Sequence, residues 1–84
     1  MNRLTIKYFA SIREALGQAS ETAHTQAPTI GALRAELMAR GGAYAEVLAP
    51  HKAVRVAVNQ TMAEESTALT DGAEIAFFPP VTGG

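Results

Sequence analysis

The stretch that decides the fold is residues 74–84, Glu74-Ile75-Ala76-Phe77-Phe78-Pro79-Pro80-Val81-Thr82-Gly83-Gly84. Ile75 and Phe77 fall on one side of an alternating run, which predicts a strand over Glu74–Phe78. The proline pair ends this strand, because proline has no backbone N–H to give to a sheet. We therefore expect a domain over residues 1–78, followed by an extended tail over residues 79–84 that reaches at most roughly 20 Å.

Further upstream, several segments show the spacing of polar and apolar residues that is typical of strands. In one of them, Val54, Val56 and Val58 are expected to point inward, with Arg55 and Ala57 outward. Thr70-Asp71-Gly72 predicts a turn before the last strand. The predicted strands are residues 4–9, 21–25 (an edge strand) and 54–58, and residues 62–69 are expected to form a short strand and a loop.

One segment, from about Ile30 to Arg40, has the spacing of a full helix, and Thr29 is a suitable N-cap for it. Its apolar face is expected to contain Ile30, Leu33, Leu37 and Met38, with Arg34, Glu36 and Arg40 facing elsewhere. Shorter helical turns are predicted over residues 10–16, ending at Gly17, and over residues 44–48.

A single main helix packed on one face of a small mixed sheet is the simplest way to bury these apolar faces. The pattern therefore predicts the α+β class. If the first and last strands are adjacent and parallel, the arrangement is the β-grasp, or ubiquitin-like, fold; this specific topology rests partly on the resemblance described below.

Two aromatic residues fall on the side of the sheet that should be solvated. Phe9 shares a face with Thr5 and Lys7, and Phe78 shares a face with Glu74 and Ala76. Exposed apolar surface of this kind usually marks an interface. We predict that Phe9 and Phe78, joined by Met62, form a docking patch beside the root of the tail; the alternative is that a bulge turns the two rings inward.

The composition bounds the function. The chain has 84 residues, 48% of them hydrophobic and 18% charged, with a net charge of -1 and no cysteine. These values indicate one small folded domain, without disulfides or thiolate metal sites. They give no electrostatic case for binding nucleic acid or an anionic membrane. No signal-peptide pattern is expected at the N-terminus, and we expect a cytoplasmic protein.

The tail suggests a chemistry of its own. A terminal carboxyl group is ionised at neutral pH and is a poor electrophile, but ATP can convert it to an acyl adenylate. A sulfur nucleophile then gives a thiocarboxylate, and an amine gives an amide. Gly83-Gly84 is slim enough to enter a closed active site, and Pro79 and Pro80 lower the entropy lost on docking.

Several segments together carry a resemblance to a known family. They are Lys7-Tyr8-Phe9-Ala10 with Arg13-Glu14, Ala57-Val58-Asn59-Gln60, Leu69-Thr70-Asp71-Gly72, and residues 74–84. Over essentially its full length the chain resembles the small subunits of molybdopterin synthase, which are ubiquitin-like sulfur carriers.

The resemblance implies that an activating enzyme of the ubiquitin-activating type adenylates Gly84 with ATP, and that Gly84 then carries sulfur as a thiocarboxylate. The tail (Pro79, Pro80, Val81, Thr82, Gly83 and Gly84) would enter the large subunit, which binds cyclic pyranopterin monophosphate. Phe9, Met62 and Phe78 fall at the expected partner contact. The complex would be a heterotetramer of two large and two small subunits, and catalytic side chains would belong to the large subunit. No stably bound cofactor or metal is implied.

Three other functions remain open. The chain could be the thiamine-pathway sulfur carrier, although those proteins usually lack a helical insert like that at residues 44–48. It could be a protein modifier that forms isopeptide bonds through Gly84, or a binding module with an inert tail. An independent enzyme is disfavoured, because His24 and His51 are isolated and Glu64-Glu65 reads as a loop charge pair. Lys7, Arg13 and Arg55 are expected to be solvated, with no role assigned.

Overall fold

The computed structural model describes residues 1–80, which form five strands and three helices. The strands are β1 (Asn2–Tyr8), β2 (Ser20–Thr25), β3 (Arg55–Val58), β4 (Thr61–Ala63) and β5 (Glu74–Phe78). The helices are α1 (Ala10–Leu16), α2 (Ile30–Met38) and α3 (Gly42–Val47). Residues 81–84 of the predicted tail lie outside the described residues.

The sheet has the strand order β2-β1-β5-β3-β4. β1 and β5 are parallel neighbours at its centre, and Ile6 and Tyr8 lie opposite Ile75 and Phe77. The other pairings are antiparallel. The predicted α+β class and the parallel pairing of the first and last strands are therefore confirmed, as is the edge position of β2.

The core lies between the helices and one face of the sheet. Alternation along β1 and β5 puts every second side chain on this face. Its largest fully buried side chains are Leu4, Ile6, Tyr8, Ile30, Leu33, Leu37, Leu48, Ile75 and Phe77. The opposite face of the sheet, here called the open face, carries the remaining side chains of the strands.

The start of α2 is held by its own cap and by the loop after β4. Thr29 accepts a hydrogen bond from the Ala32 N–H at 3.2 Å, as its type and position predict. The Ile30 and Gly31 N–H groups donate to the carbonyls of Thr67 and Glu65. Gly31 packs closely there, because an added Cβ would lie 3.3 Å from the Glu65 carbonyl oxygen and would require a small shift of that loop.

The orientation predicted for Arg34 and the exposure predicted for Ala57 need correction. Arg34, expected to face away from the core, is buried with 7% of its surface exposed. Its guanidinium donates to the carbonyls of Leu48, Ala49 and Lys52, so it holds the loop after α3 against α2. Ala57 does lie on the open face but is nevertheless buried, with 7% of its surface exposed. The predicted helix is also two residues too long at its C-terminal end, since it extends to Arg40 whereas α2 ends at Met38.

Candidate functional site: the open face of the sheet

Cross-strand register brings the predicted docking residues to one side of the sheet. Lys7 pairs with Ala76, Ala76 with Ala57, and Ala57 with Met62, so these four residues form one row across the open face. Phe78 belongs to the neighbouring row, opposite Arg55. Small alanines at the middle of the row leave a shallow apolar surface between Met62 and Phe78.

Phe9 continues this surface at the end of β1. It is the N-cap of α1 and keeps an extended backbone, and its N–H donates to the Phe77 carbonyl at 3.1 Å. The β1–β5 pairing therefore reaches Phe9, one position beyond Tyr8. Phe9 is 44% exposed and Met62 is 60% exposed, while Phe78 is partly exposed. None of the three is buried, in contrast with the rings of Tyr8 and Phe77.

Charged residues surround this apolar surface. Lys7 Nζ forms a salt bridge with Glu74 Oε1 at 3.2 Å between β1 and β5, and both side chains are partly exposed. Arg55 and Arg13 are also exposed. An exposed pair such as Lys7–Glu74 contributes little to stability, about 0–1 kcal/mol, so these charges can rearrange against a partner at low cost.

Beneath the root of the tail, the helix side of the sheet holds an aromatic stack. The rings of Tyr8 and Phe77 lie 6.3 Å apart at an interplanar angle of 16°. Tyr44 of α3 meets the Tyr8 ring edge-on, with centroids 6.4 Å apart. Because Phe77 precedes Phe78 and Pro79 directly, this stack fixes the strand end from which the tail begins.

The hydroxyl of Tyr8 leads into a polar cluster centred on Glu21. The Glu21 carboxylate accepts hydrogen bonds from Tyr8 (2.7 Å), Gln18 (3.0 Å) and Tyr44 (3.1 Å). Both of its oxygens accept from Arg40, at 2.9 and 3.0 Å. Gln18 also donates to the Tyr44 hydroxyl, and the Arg40 guanidinium lies 4.8 Å from the centroid of the Tyr44 ring.

This environment shifts the pKa values of three groups. Burial, the hydrogen bond to Glu21 and the Glu21 charge raise the pKa of Tyr8 far above its usual range. Burial alone would raise the pKa of Glu21, but the hydrogen bonds from Tyr8, Arg40 and Tyr44 and the Arg40 charge lower it. Burial likewise opposes the charge on Arg40, yet contact with Glu21 raises the pKa of Arg40. The cluster therefore holds one ionised pair in place at neutral pH.

Sequence reasoning missed this cluster. Its members lie 13 to 23 positions from Glu21, apart from Gln18, and come from elements whose contacts periodicity does not reveal. An aromatic residue in the helical insert and an acidic residue early in the edge strand were visible, but nothing in the spacing joined them.

Other predicted residues are dispersed. His24 lies exposed on β2 and His51 in the loop after α3. Within residues 1–80, no group of three metal-ligating side chains comes together, and no helix is long and apolar enough to cross a membrane. Pro79 and Pro80 follow β5 and are partly buried. Val81, Thr82, Gly83 and Gly84 lie outside the described residues.

The parallel pairing of β1 and β5, with helices over one face, defines a β-grasp domain. The chain belongs to the ThiS family, which it matches over residues 6–84.

A curated relative agrees with this assignment, and two solved structures share the fold. The chain is 41% identical to the molybdopterin synthase sulfur carrier subunit of Escherichia coli over 81 residues, which are 96% of this chain and 99% of that protein. SAMP1 from Haloferax volcanii superposes with a TM-score of 0.80 at 26% identity, over 99% of this chain and 100% of that one. A protein–protein complex of subunits 1 and 2 of molybdopterin-converting factor from Helicobacter pylori contains a chain with the same fold. The TM-score is 0.70 at 24% identity, covering 98% of this chain and 99% of that one.

Proposed function

We propose that this chain is the sulfur carrier subunit of molybdopterin synthase and acts in the cytoplasm. The observation that carries the proposal is the 41% identity to the Escherichia coli sulfur carrier over nearly the full length of both chains. This relative favours the molybdenum cofactor pathway over the thiamine pathway.

In the proposed reaction, the Gly84 carboxylate attacks the α-phosphate of ATP in the activating enzyme, and pyrophosphate leaves. A sulfide equivalent from a separate donor then displaces AMP and gives the thiocarboxylate. The large subunit takes up the tail, and the thiocarboxylate sulfur bonds to cyclic pyranopterin monophosphate. Water then cleaves the acyl–sulfur bond, so the sulfur stays on the substrate and the chain returns with a carboxylate at Gly84. Two such transfers build the dithiolene. The described residues of this chain bind and orient, and the large subunit supplies the catalytic side chains.

The open face is the proposed contact with the large subunit, in a heterotetramer of two large and two small subunits. Phe9 and Met62 are exposed, and Phe78 is partly exposed, around a shallow floor of small side chains beside the root of the tail. Covering each large apolar side chain contributes on the order of 1.5–3 kcal/mol, so the three together can anchor a specific complex. Contact here also points the tail toward the same partner.

The test is a reconstituted transfer. The chain is thiocarboxylated with the activating enzyme, ATP and a sulfur donor, then mixed with the large subunit and cyclic pyranopterin monophosphate. The expected product is the dithiolene, and a chain that lacks Gly84 is expected to give none. The thermal midpoint of the chain that lacks Gly84 should match that of the intact chain, because within residues 1–80 the last buried core residue is Phe77. Equal product from both chains would contradict the proposal.

A second candidate function is protein modification, favoured by the superposition on SAMP1 of Haloferax volcanii, whose full name is small archaeal modifier protein 1. The activation step is the same, but a lysine amine of a target protein would take the acyl group in place of sulfide. The two functions differ in product: free thiocarboxylate chain in one, and amide-linked target proteins in the other.

A further inference from the structure

An unpaired sheet edge lies at β2, the end strand of the sheet order over residues 1–80. The Tyr8 N–H donates to the Ala19 carbonyl at 2.8 Å, which sets the phase of the β1–β2 ladder. Bonding in an antiparallel pair alternates along the strand. The backbone groups of Glu21 and Ala23 therefore face β1, and those of Thr22 and His24 face outward.

This edge lacks lysine, proline and a bulge, which are three of the features that usually protect one, and its inward-pointing charge, Glu21, is paired with Arg40. Exposed edges in soluble proteins commonly carry lysine, proline, a bulge or an inward-pointing charge. Here the outward-facing positions are Ser20, Thr22 and His24, and the ladder with β1 is regular through all six residues of the strand. Glu21, the one acidic residue of β2, bonds to Arg40 on the helix side. The edge thus offers donors and acceptors to another extended strand.

A groove runs alongside this edge, between β2 and α2, with a volume of about 120 Å³. Its apolar lining comes from Ala23, Leu33 and Leu37, and its charged residues are Glu36 and Arg40. Glu36 lies beside Thr25, from which it accepts a hydrogen bond, and Arg40 lies beside Glu21. The groove therefore has a carboxylate at one end and, at the other, the Arg40 guanidinium, which is already paired with Glu21.

We propose that the β2 edge pairs with the β2 edge of a second copy of this chain, antiparallel, about a two-fold axis between the two Ala23 residues. In this register, Thr22 and His24 of one copy exchange N–H···O bonds with His24 and Thr22 of the other. The two Ala23 residues form the non-bonded pair at the centre, where small side chains permit close approach. The result is a continuous ten-stranded sheet.

Charge complementarity selects a second copy as the occupant. The two-fold axis sets Glu21 opposite Thr25 of the other copy, and so brings Arg40 toward Glu36 of the other copy, twice by symmetry. Arg40 contacts Glu21 through Nη1, and its side chain is 41% exposed, which leaves donors for this second carboxylate. A foreign strand would have to supply the same charge pattern by coincidence.

This pairing goes beyond the proposed sulfur transfer and does not compete with it. β1 separates β2 from β5, and Met62 and Phe78 lie on β4 and β5. A pair joined at β2 therefore keeps both open faces and both tail roots uncovered. Self-association can be measured without the activating enzyme, so failure of either hypothesis leaves the other standing.

The test is sedimentation equilibrium of the full chain from micromolar to millimolar concentration. The mass is expected to rise from 8.8 kDa toward twice that value. Over the same range, the amide resonances of Thr22 and His24 should shift, while those of Ala57 and Ala76 on the open face should not. A constant mass of 8.8 kDa, or shifts confined to the open face, would overturn the proposal. So would shifts at β2 that arise only when a foreign peptide is added.

Matched variants sharpen the result. Thr22→Pro removes an outward N–H without touching the β1 ladder, and should weaken association by about tenfold or more. Thr22→Val keeps that N–H and should associate like the parent chain. Should Thr22→Pro fail to fold, Glu36→Lys makes the Arg40 contact repulsive, and Glu46→Lys on exposed α3 is the charge-matched control. If the Glu36→Lys chain associates as strongly as the Glu46→Lys control, the pairing would be contradicted.

Discussion

Phe77 and Phe78 are neighbours in sequence and identical in chemistry, yet they lie on opposite faces of the sheet. Phe77 is 1% exposed and stacks on Tyr8, whereas Phe78 is partly exposed on the open face. The alternation of a strand is the sole reason for this difference. One ring stabilises the fold at all times, and the other can contribute its burial energy only when something covers it.

The contrast extends to the two faces as wholes. The helix side contains the large fully buried side chains and the Glu21 cluster. The open face has small alanines at its centre, with Phe9 and Met62 exposed around them. Mutations on the helix side should therefore change stability, and mutations on the open face should change association.

The largest effect is expected for Phe77→Ala, which should lower the free energy of unfolding by about 3–5 kcal/mol because it leaves a cavity beneath Tyr8. Phe78→Ala should cost about 1 kcal/mol or less. Under conditions where both variants are folded, Phe78→Ala should weaken binding to the large subunit more than Phe77→Ala does. Denaturant titration measures the stability of each variant, and calorimetry measures its binding to the large subunit. Equal losses of stability in the two variants would contradict the prediction.

A smaller loss is expected for Arg34→Met. Methionine keeps much of the volume but leaves the carbonyls of Leu48 and Ala49 without their donor. We expect a total loss of about 2–3 kcal/mol, at the low end of the range for two buried groups left unpaired. Amide hydrogen exchange should localise the effect to residues 48–54. Arg55→Met on the open face is the control, and a similar loss there would argue against a special role for burial.

Glu21→Gln should lower stability by about 1–2 kcal/mol at neutral pH, since Arg40 is partly exposed and solvent weakens the ion pair. The ordinary carboxyl pKa is 4.5 and the folded chain lowers it, so the unfolded chain takes up the proton first as the pH falls. The stabilisation is thus complete above about pH 4.5 and is lost as the pH falls through the lowered folded value. Thermal midpoints of the parent and Glu21→Gln should converge in acid, while Glu14→Gln on exposed α1 should follow the parent throughout. A gap that does not change with pH would contradict this.

The smallest effect is expected at the turn between β3 and β4. Asn59 and Gln60 both have positive φ angles, 49° and 69°, as a two-residue hairpin turn requires. Gln60→Gly should therefore stabilise the chain by about 0.5–1 kcal/mol. Asn59 also accepts from the Glu74 N–H at 2.9 Å, so Asn59→Gly is expected to gain nothing. Thermal unfolding of both variants tests the difference, and a loss at Gln60→Gly would contradict it.

Local patterns predicted most of the fold. Alternation placed β5 over Glu74–Phe78, and the Thr29 cap with apolar spacing placed the start of α2. Parity in two strands also predicted that Phe9 and Phe78 lie on the open face, because parity needs no knowledge of distant contacts.

The missed features depend on what packs beside an element. Arg34 follows Leu33 on the helix and reads as solvated, but the loop after α3 covers it and supplies three carbonyls. Ala57 reads as exposed, but it lies on β3 with paired strands on both sides and is buried. The Glu21 cluster joins residues of the sheet to Arg40, which follows α2, and to Tyr44 of α3, and no short-range signal specifies that meeting.

The proposal that Gly84 carries sulfur is tested most directly by an intact mass after the chain is incubated with the activating enzyme, ATP and a sulfur donor. We expect a mass increase that matches replacement of one oxygen by sulfur, mapped to Gly84 by fragmentation. A chain that is adenylated but gains no sulfur, and instead forms amide bonds to lysines of other proteins, would contradict it.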